Sequence, residues 1–265
     1  MSSGEPKLVR SRDNQRFKML RQLAGSTRER RKAGLALLDG AHLVASYRAS
    51  GGVPEQLIVS ESGRARPEVA RLADAVPGQG LLILADALFD DIAQVATPTG
   101  IIALIRTPRP GPLPAEIQDC VLLENIQDAG NLGSILRSTA GAGIPIALLS
   151  PGCAFPWSSK VLRAGMGAHF SLKIFDNADL PAIVPRLSGR LICASGHASA
   201  SLYQADLRGP LAWVFGNEGA GVSAELCAAA TERLRIPMPG KTESLNVAAA
   251  AAICLFEQMR QKMAA

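Results

Sequence analysis

The sequence predicts an α/β fold in two parts, a smaller N-terminal α/β domain and a larger C-terminal domain built on a parallel sheet. Short apolar runs alternate with helical stretches along the 265-residue chain. In the second half these runs are uniformly apolar, as expected of parallel strands covered on both faces. A proline-rich segment separates the two series. We therefore expect domains at residues 1–106 and 118–265, joined by a linker at residues 107–117.

The elements of the first domain follow from hydrophobic periodicity. A basic amphipathic helix is expected over residues 7–23, with Leu8, Phe17, Leu20 and Leu23 as its apolar positions. A charge cluster follows at residues 28–32. Strands and helices, beginning with a strand, are then expected to alternate at residues 35–40, 41–49, 56–60, 67–75, 81–84, 87–92 and 100–105.

The linker precedes a second series of strands. Residues 107–114 contain four prolines in eight positions, which disfavours helix and sheet and holds the chain extended. After the linker, strands are expected at residues 120–123, 145–149, 190–194, 211–215 and 234–238. The last helix, residues 245–262, is apolar over its first half, so we expect it to pack deep in the core or against another subunit.

The charge distribution indicates a polyanionic partner. Residues 1–35 hold ten Lys/Arg and three Asp/Glu, a net +7, whereas the whole chain carries +5. Concentrated cations attract nucleic acid because neutralised phosphates release condensed counterions. A solvated basic helix or a frayed tail explains the same charge equally well.

Cysteine usage and hydropathy indicate the compartment. The five cysteines are widely separated and show no metal-ligand spacing, a pattern typical of buried free thiols. The N-terminus lacks the apolar segment of a signal peptide, and the apolar run at residues 247–256 is too short to cross a bilayer. We expect a reduced, cytoplasmic protein without metal or membrane association.

The first segment that carries candidate functional residues is residues 123–143, which leave a strand, cross a polar loop and enter a helix. Asn131 and Arg137 are six positions apart. On a helix this spacing turns the side chains about 240° around the axis. The two can therefore meet one ligand only if Asn131 lies in the loop or cap before the helix, where Asn is favoured. An ordinary N-cap Asn and a surface Arg are the alternative.

The second and third segments end strands in polar loops. Residues 211–223 form a strand and a glycine-rich turn that presents Asn217 and Glu218. The turn does not have the G-x-G-x-x-G spacing of a dinucleotide site, which argues against an oxidoreductase. In residues 235–252, Ser244 and Asn246 fall at a helix start, where backbone N–H groups bind anions or caps. An ordinary strand-to-helix connection and simple capping are the respective alternatives.

In combination, these segments point to one family. The patterns N-x-G-x-x-x-R at residues 131–137, F-G-N-E-G-x-G at 215–221 and I-P-M-x-G-x-x-x-S-L-N at 236–246 closely resemble the motifs of SpoU/TrmH-type RNA ribose 2'-O-methyltransferases, members of the SPOUT superfamily. The resemblance spans residues 118–265. Residues 12–16, 30–31 and 38–40 also resemble the small substrate-binding domain of many members, although Asp39 stands where the family often has Glu.

The resemblance implies a fold, a reaction and an assembly. The C-terminal domain would be an α/β trefoil knot, an exception to ordinary chain topology. It would form a homodimer in which each active site draws on both subunits. The enzyme would transfer a methyl group from S-adenosyl-L-methionine to a ribose 2'-hydroxyl of ribosomal or transfer RNA, the two-domain layout favouring ribosomal RNA. A non-catalytic RNA-binding or ribosome assembly protein that retains the fold is the alternative.

The resemblance also implies residue roles. Arg137 would bind the ribose hydroxyl or its neighbouring phosphate, because a guanidinium stays protonated and is a poor base, and Asn131 would orient it. Glu218, Ser244 and Asn246 would complete the catalytic site. His42, His169 and His197 are isolated, and we expect them to be structural. Cofactor contacts are expected from Ser195, Gly196, Phe215, Gly216, Asn217, Gly219, Ile236, Met238 and Leu245, and RNA contacts from Arg10, Arg12, Arg16, Lys18, Arg30, Arg31 and Lys32.

Overall fold

The structure, a computed structural model, describes residues 8–74, 80–241 and 244–264. The chain divides into two compact units. The N-terminal unit comprises Met1–Pro108 together with Trp157–Arg163, and the C-terminal unit comprises Arg109–Pro156 and Ala164–Ala265. Each unit contains one sheet, as the alternating pattern of apolar runs predicts.

The N-terminal unit is built on a five-stranded mixed sheet with the order β1-β4-β3-β5-β2. Strand β4 pairs in parallel with β1 and β3, whereas β5 runs antiparallel to β3 and β2. The elements are β1 (Leu8–Val9), α1 (Gln15–Gly25), α2 (Thr27–Ala33), β2 (Leu35–Asp39), α3 (Ala41–Ala49), β3 (Gln56–Ser60), α4 (Pro67–Asp74), β4 (Leu81–Leu84), α5 (Asp86–Asp90) and β5 (Ile101–Arg106).

The first helix begins later than predicted. Asn14 is its N-cap, and its side-chain oxygen accepts hydrogen bonds from the backbone N–H groups of Arg16 and Phe17, as capping Asn residues do. Leu8 belongs instead to strand β1, and the beginning of the predicted helix at residue 7 lies outside the described residues. The predicted positions Phe17, Leu20 and Leu23 are buried in the core.

The C-terminal unit is built on a seven-stranded sheet with the order β10-β12-β9-β11-β6-β7-β8, and every pairing is parallel. The parallel sheet predicted from apolar runs is therefore confirmed. Its elements are β6 (Cys120–Leu123), α6 (Ala129–Gly141), β7 (Ile146–Leu149), β8 (Lys173–Phe175), α8 (Leu180–Ile183), β9 (Arg190–Ala194), β10 (Ala200–Ser201), β11 (Leu211–Phe215), α9 (Ala224–Ala229), β12 (Glu232–Arg235) and α10 (Val247–Met263). Helix α7 (Ser159–Gly165) follows β7 in the chain, and its residues up to Arg163 belong to the N-terminal unit.

Strand β12 ends before the predicted span of residues 234–238 does. It covers Glu232–Arg235, because Pro237 and Pro239 lack the N–H donor that would continue the ladder. The segment that follows is released from the sheet at its carboxyl edge. Loops after the neighbouring strands β9 and β11 leave the same edge, since parallel strands all end on one side.

Helix α10 is anchored in the core of the C-terminal unit. It packs against α6, and its Gln258 side chain is buried. Gln258 accepts a hydrogen bond from the Trp213 indole at 2.7 Å and donates one to Asp119 at 3.0 Å. Asp119 also forms an ion pair with Lys262 at 2.7 Å. The last helix therefore packs in the core, one of the two arrangements predicted for it. In the part of the chain that the structure describes, no helix is long and apolar enough to span a bilayer.

Candidate active site

A cleft opens at the carboxyl edge of the seven-stranded sheet, where the loops after β9, β11 and β12 meet. Its walls combine backbone from these loops with apolar side chains, and Glu218 supplies a carboxylate. The lining residues are Ala194, Ser195, Gly196, Phe215, Gly216, Asn217, Glu218, Gly221, Val222, Leu234, Ile236, Met238, Ser244, Leu245, Val247 and Ala250.

The glycine-rich turn after β11 is held closed by its own backbone. Gly221 has a φ of +70°, a left-handed conformation that favours glycine, and its N–H donates to the Asn217 carbonyl at 2.9 Å. A Cβ on Gly216 would lie 2.1 Å from the Gly221 carbonyl oxygen, so a larger residue at 216 would displace the turn.

The Asn217 side chain organises this turn from within. Its oxygen accepts hydrogen bonds from the backbone N–H groups of Gly219 and Ala220 at 2.8 and 3.1 Å. Its amide nitrogen donates to the Asn125 carbonyl in the loop after β6 at 3.1 Å. The turn is therefore tied to the strand beside β11, which limits its freedom to move.

One hydrogen-bonded network joins the three sequence motifs. The Asn131 side-chain nitrogen donates to the Glu218 carboxylate at 2.5 Å, and the Asn131 side-chain oxygen accepts from the Asn246 amide at 2.9 Å. Asn246 in turn caps α10, accepting from the N–H groups of Ala248 and Ala249. Residues up to 115 positions apart are thereby brought into direct contact.

Asn131 does not precede helix α6, as the prediction required, but lies within it. The N-cap is Asp128, whose carboxylate accepts a hydrogen bond from the Asn131 backbone N–H at 2.7 Å. Asp128 occupies the capping position, and Asn131 therefore falls in the first turn. Arg137 lies on the same helix, six residues later, and is exposed; the two side chains therefore point about 120° apart around the helix axis.

The cleft contains most of the predicted cofactor residues and adds some that the sequence did not indicate. Gly219 is the predicted cofactor residue that does not line it; this glycine is exposed at the tip of the turn. Of the predicted catalytic residues, Glu218 and Ser244 line the cleft, whereas Asn131 and Asn246 reach it through Glu218. The additional lining residues are strand ends, turn positions and the first turns of α10, namely Ala194, Gly221, Val222, Leu234, Val247 and Ala250. Of these six additional residues, only Gly221 could have been identified from the sequence, because it is the third glycine of the F-G-N-E-G-x-G motif.

One of the residues predicted to bind RNA is buried in the structure. Arg30 is 4% exposed, and its guanidinium donates to the carbonyls of Leu23 and Ala24 at the end of α1 and to the Thr27 hydroxyl. Burial lowers the pKa of Arg30 from its ordinary value. The residue satisfies carbonyls that a helix end leaves without partners, so its predicted contact with RNA is wrong. The other predicted cations are exposed, namely Arg10, Arg12, Arg16, Lys18, Arg31 and Lys32.

Asp39 and His169 are both buried. The Asp39 carboxylate accepts a hydrogen bond from the Gln94 N–H at 2.6 Å, and burial raises the pKa of Asp39. The His169 ring bonds to the Pro156 carbonyl at 2.8 Å, and burial lowers the pKa of His169 to about 4. His169 is thus packed as a neutral ring, consistent with the structural role expected of it.

Two family models match the chain over separate ranges. The SpoU rRNA Methylase family model matches residues 119–256, a range that contains all three motifs and the cleft. The MRM3-like substrate binding domain model matches residues 14–103, within the N-terminal unit.

Full-length relatives share both units. The 23S rRNA (guanosine(2553)-2'-O)-methyltransferase RlmP of Bacillus subtilis (strain 168) is 30% identical, with 94% of this chain and 98% of the relative covered. The crystal structure of an RNA 2'-O ribose methyltransferase is 30% identical with a TM-score of 0.81, covering 96% of this chain and 99% of the other. The crystal structure of an AdoMet-bound rRNA methyltransferase from Sinorhizobium meliloti is 26% identical with a TM-score of 0.83, covering 97% and 98%.

Proposed function

This chain belongs to the SpoU rRNA methylase family, and we propose that it methylates a ribose 2'-hydroxyl of ribosomal RNA with S-adenosylmethionine as donor. The single observation that carries the proposal is the Asn131–Glu218–Asn246 network beside the cleft. It joins the three motifs of the family into one structure. A non-catalytic RNA binder would have no need for this arrangement, so the alternative is not favoured.

The cleft is chemically suited to S-adenosylmethionine. The donor combines an adenine ring, which needs apolar contact, with a cationic sulfonium that supplies an already activated methyl group. Ile236, Met238 and Leu245 offer apolar surface, and the backbone of the turn at Gly216 offers polar groups at close range. Glu218 is the negative charge at the wall of the cleft, which favours a cation beside it.

The protein's own contribution to the reaction is positioning and charge stabilisation. Alignment of two reacting groups can remove several kcal/mol from a barrier. We assign Asn131 to hold Glu218 and the capped end of α10 in one geometry, with Ser244 and Asn246 completing the wall that faces the acceptor ribose. Arg137 would bind the phosphate beside that ribose and stabilise the developing alkoxide charge, since its guanidinium stays protonated.

We further propose that Arg137 serves the active site of the partner subunit. The two side chains point about 120° apart around α6, so we expect Arg137 and Asn131 of one chain not to converge on one ribose. Among the described residues, no ion pair engages Arg137. Phe256 of the adjoining helix α10 is 42% exposed, a large apolar side chain suited to an interface. These features support the homodimer, and the family resemblance supports the trefoil knot of the C-terminal unit.

The N-terminal unit is proposed to select the RNA, as a substrate-binding domain within residues 1–106 connected through the linker at 107–117. Its exposed cations Arg16, Arg31 and Lys32 would contact phosphates. Aromatic residues make up 4% of the chain, so few bases can stack and phosphate contacts should dominate affinity. The proposed activity places the protein with its substrate in the cytoplasm.

The proposal is tested by binding and then by methylation. Calorimetric titration with S-adenosylmethionine should give micromolar binding, and titration with NADH should give none. Transfer of a radiolabelled methyl group to 23S rRNA, followed by nuclease mapping, should identify a 2'-O-methylated nucleotide. Arg137→Ala should abolish transfer while cofactor binding persists. A folded protein that binds RNA but never the methyl donor would favour the non-catalytic alternative.

Mixed dimers test whether Arg137 acts across the subunit boundary. An Arg137→Ala subunit retains an intact network, and an Asn131→Asp subunit retains Arg137. A heterodimer of the two contains one complete site only if Arg137 acts on its partner. Unfolding and refolding the two variants together should therefore give more activity than either homodimer has alone. No recovery, with heterodimers demonstrated by mass, would place Arg137 in its own chain's site.

A further inference from the structure

Two cysteines that are 34 positions apart meet behind the cleft. The Cys193 and Cys227 sulfur atoms lie 2.9 Å apart, and both residues are free thiols. Cys193 is buried in strand β9, and Cys227 is half-buried on helix α9. A disulfide bond measures about 2.05 Å, so closure requires the sulfurs to approach by less than ~1 Å. We propose that Cys193 and Cys227 are an oxidisable thiol pair, and that their disulfide distorts the cofactor cleft and weakens cofactor binding.

The chemistry balances with a peroxide as the oxidant. The Cys227 thiol attacks hydrogen peroxide, forming a sulfenic acid and releasing water. The Cys193 sulfur then displaces hydroxide from that sulfenic acid, forming the disulfide and releasing a second water. Both electrons lost by the thiols reduce the peroxide. Because Cys227 is the less buried of the two, it is the thiol that meets the oxidant first.

The surroundings of the pair favour this order. Burial and the hydrogen bond with Cys227 together raise the pKa of the Cys193 thiol to about 12, while the Arg233 guanidinium acts in the opposite direction. Cys193 is thus protonated at neutral pH and a poor nucleophile toward peroxide, so it is not the thiol that reacts first. Arg233 also donates to the Cys227 carbonyl at 3.0 Å, which places a cation beside the pair.

The pair connects two walls of the cleft, and the consequence for ligand binding rests on the proposed cofactor function. Cys193 directly precedes Ala194, which lines the cleft. The Cys227 sulfur lies 3.8 Å from the carbonyl oxygen of Val222, a lining residue on the other side. A bond that draws α9 toward β9 moves Val222 relative to Ala194. We expect oxidation to weaken S-adenosylmethionine binding at least fivefold, reversibly.

The thiol count tests the bond independently of the cofactor. Full-length protein is treated with hydrogen peroxide, alkylated after denaturation and weighed. The wild-type chain should fall from five titratable thiols to three and lose two hydrogen atoms in mass. Cys227→Ser should keep all four of its thiols, whereas Cys193→Ser should form no disulfide and should instead carry the peroxide oxygen on Cys227, with a gain of one oxygen in mass. The matched control Cys153→Ser, which alters a half-buried thiol elsewhere in the same unit, should fall from four to two.

Cofactor titration then tests the consequence. Peroxide-treated wild type should bind S-adenosylmethionine more weakly, dithiothreitol should restore the affinity, and Cys227→Ser should be insensitive to both. An unchanged wild-type thiol count, or the same loss in Cys227→Ser, would overturn the pair. A formed disulfide with unchanged affinity would overturn its link to the cleft. Absence of binding in the reduced protein would instead count against the proposed function, because the thiol count does not depend on it.

Discussion

Reversing one hydrogen bond at Asn131 is the most direct way to test whether the network orders the active site. Asn131→Asp is nearly isosteric, but it replaces the amide that donates to Glu218 at 2.5 Å with a carboxylate oxygen. Two negative oxygens then face each other. The bond to Asn246 survives, because an aspartate still accepts it. The substitution therefore removes one contact and preserves the other.

The size of the effect can be worked from the contact. A hydrogen bond to a charged group contributes about 1.5–3 kcal/mol, and the exposure of Glu218 reduces this to about 1–2 kcal/mol through solvent screening. At about 1.4 kcal/mol for each tenfold change in rate, kcat/KM should fall roughly 5- to 30-fold. The assay is methyl transfer to 23S rRNA, with circular dichroism to confirm that the variant remains folded.

A second substitution distinguishes loss of this hydrogen bond from a general structural defect, because only the former can be reversed by exchanging donor and acceptor. In the double variant Asn131→Asp/Glu218→Gln the donor and acceptor are exchanged: the amide introduced at position 218 donates to the carboxylate introduced at position 131, and the net charge equals that of the wild type. The double variant should be more active than Asn131→Asp, although it places the negative charge at position 131 instead of at the cleft wall. If it is no more active than Asn131→Asp, or if Asn131→Asp alone has wild-type kcat/KM, the network does not order the site.

Three further predictions follow from individual residues. Gly216→Ala should weaken S-adenosylmethionine binding at least tenfold, because its Cβ would lie 2.1 Å from the Gly221 carbonyl oxygen, whereas Gly219→Ala, whose nearest neighbour is 3.4 Å away, should bind within twofold by calorimetry. Burial holds the pKa of His169 at about 4, so the unfolded state takes up its proton first as the pH falls below 6.5. The contribution of neutral His169 to the free energy of unfolding is therefore fully present above pH 6.5 and is lost toward pH 4, by about 2 kcal/mol between pH 7 and 5. Urea melts of His169→Gln should lack this portion of the slope, and equal slopes would contradict the argument. Arg30→Met should lower the free energy of unfolding by about 2–3 kcal/mol, since it leaves buried carbonyls unpaired, without changing the salt dependence of RNA binding. Arg28→Met, on the exposed face of the same helix, should leave stability within about 0.5 kcal/mol.

The sequence predicted those elements whose ends coincide with a change in hydrophobicity. Strands at Gln56–Ser60, Cys120–Leu123 and Leu211–Phe215 match their predicted bounds, because each is a wholly buried run between polar turns. Strand β1 was not predicted, and β12 begins and ends earlier than the predicted span of residues 234–238. A two-residue strand has no periodicity of its own, and the apolar residues after Arg235 continue the pattern although proline ends the pairing.

The candidate site was predictable as a set of motifs but not as a geometry. The sequence identified Asn131, Glu218 and Asn246 separately, and the structure places them in contact. It misassigned Asn131 to the cap, because Asp128 three residues earlier is an equally good cap. Arg30 was indistinguishable from its charged neighbours, since burial depends on how α2 packs against the end of α1. The Cys193–Cys227 contact depends on two elements that meet only in the folded sheet.

The position of Asn246 follows from packing well away from the cleft. Asn246 caps α10, so its side chain is placed by the register of that helix. Gln258 lies twelve residues along α10, a rise of about 18 Å, and its buried bonds to Trp213 and Asp119 fix the helix against the sheet. A loss of those bonds would let α10 shift along its axis, and Asn246 would move away from Asn131 without any cleft residue being altered. The network therefore depends on the buried polar contacts of the core as directly as on its own three side chains.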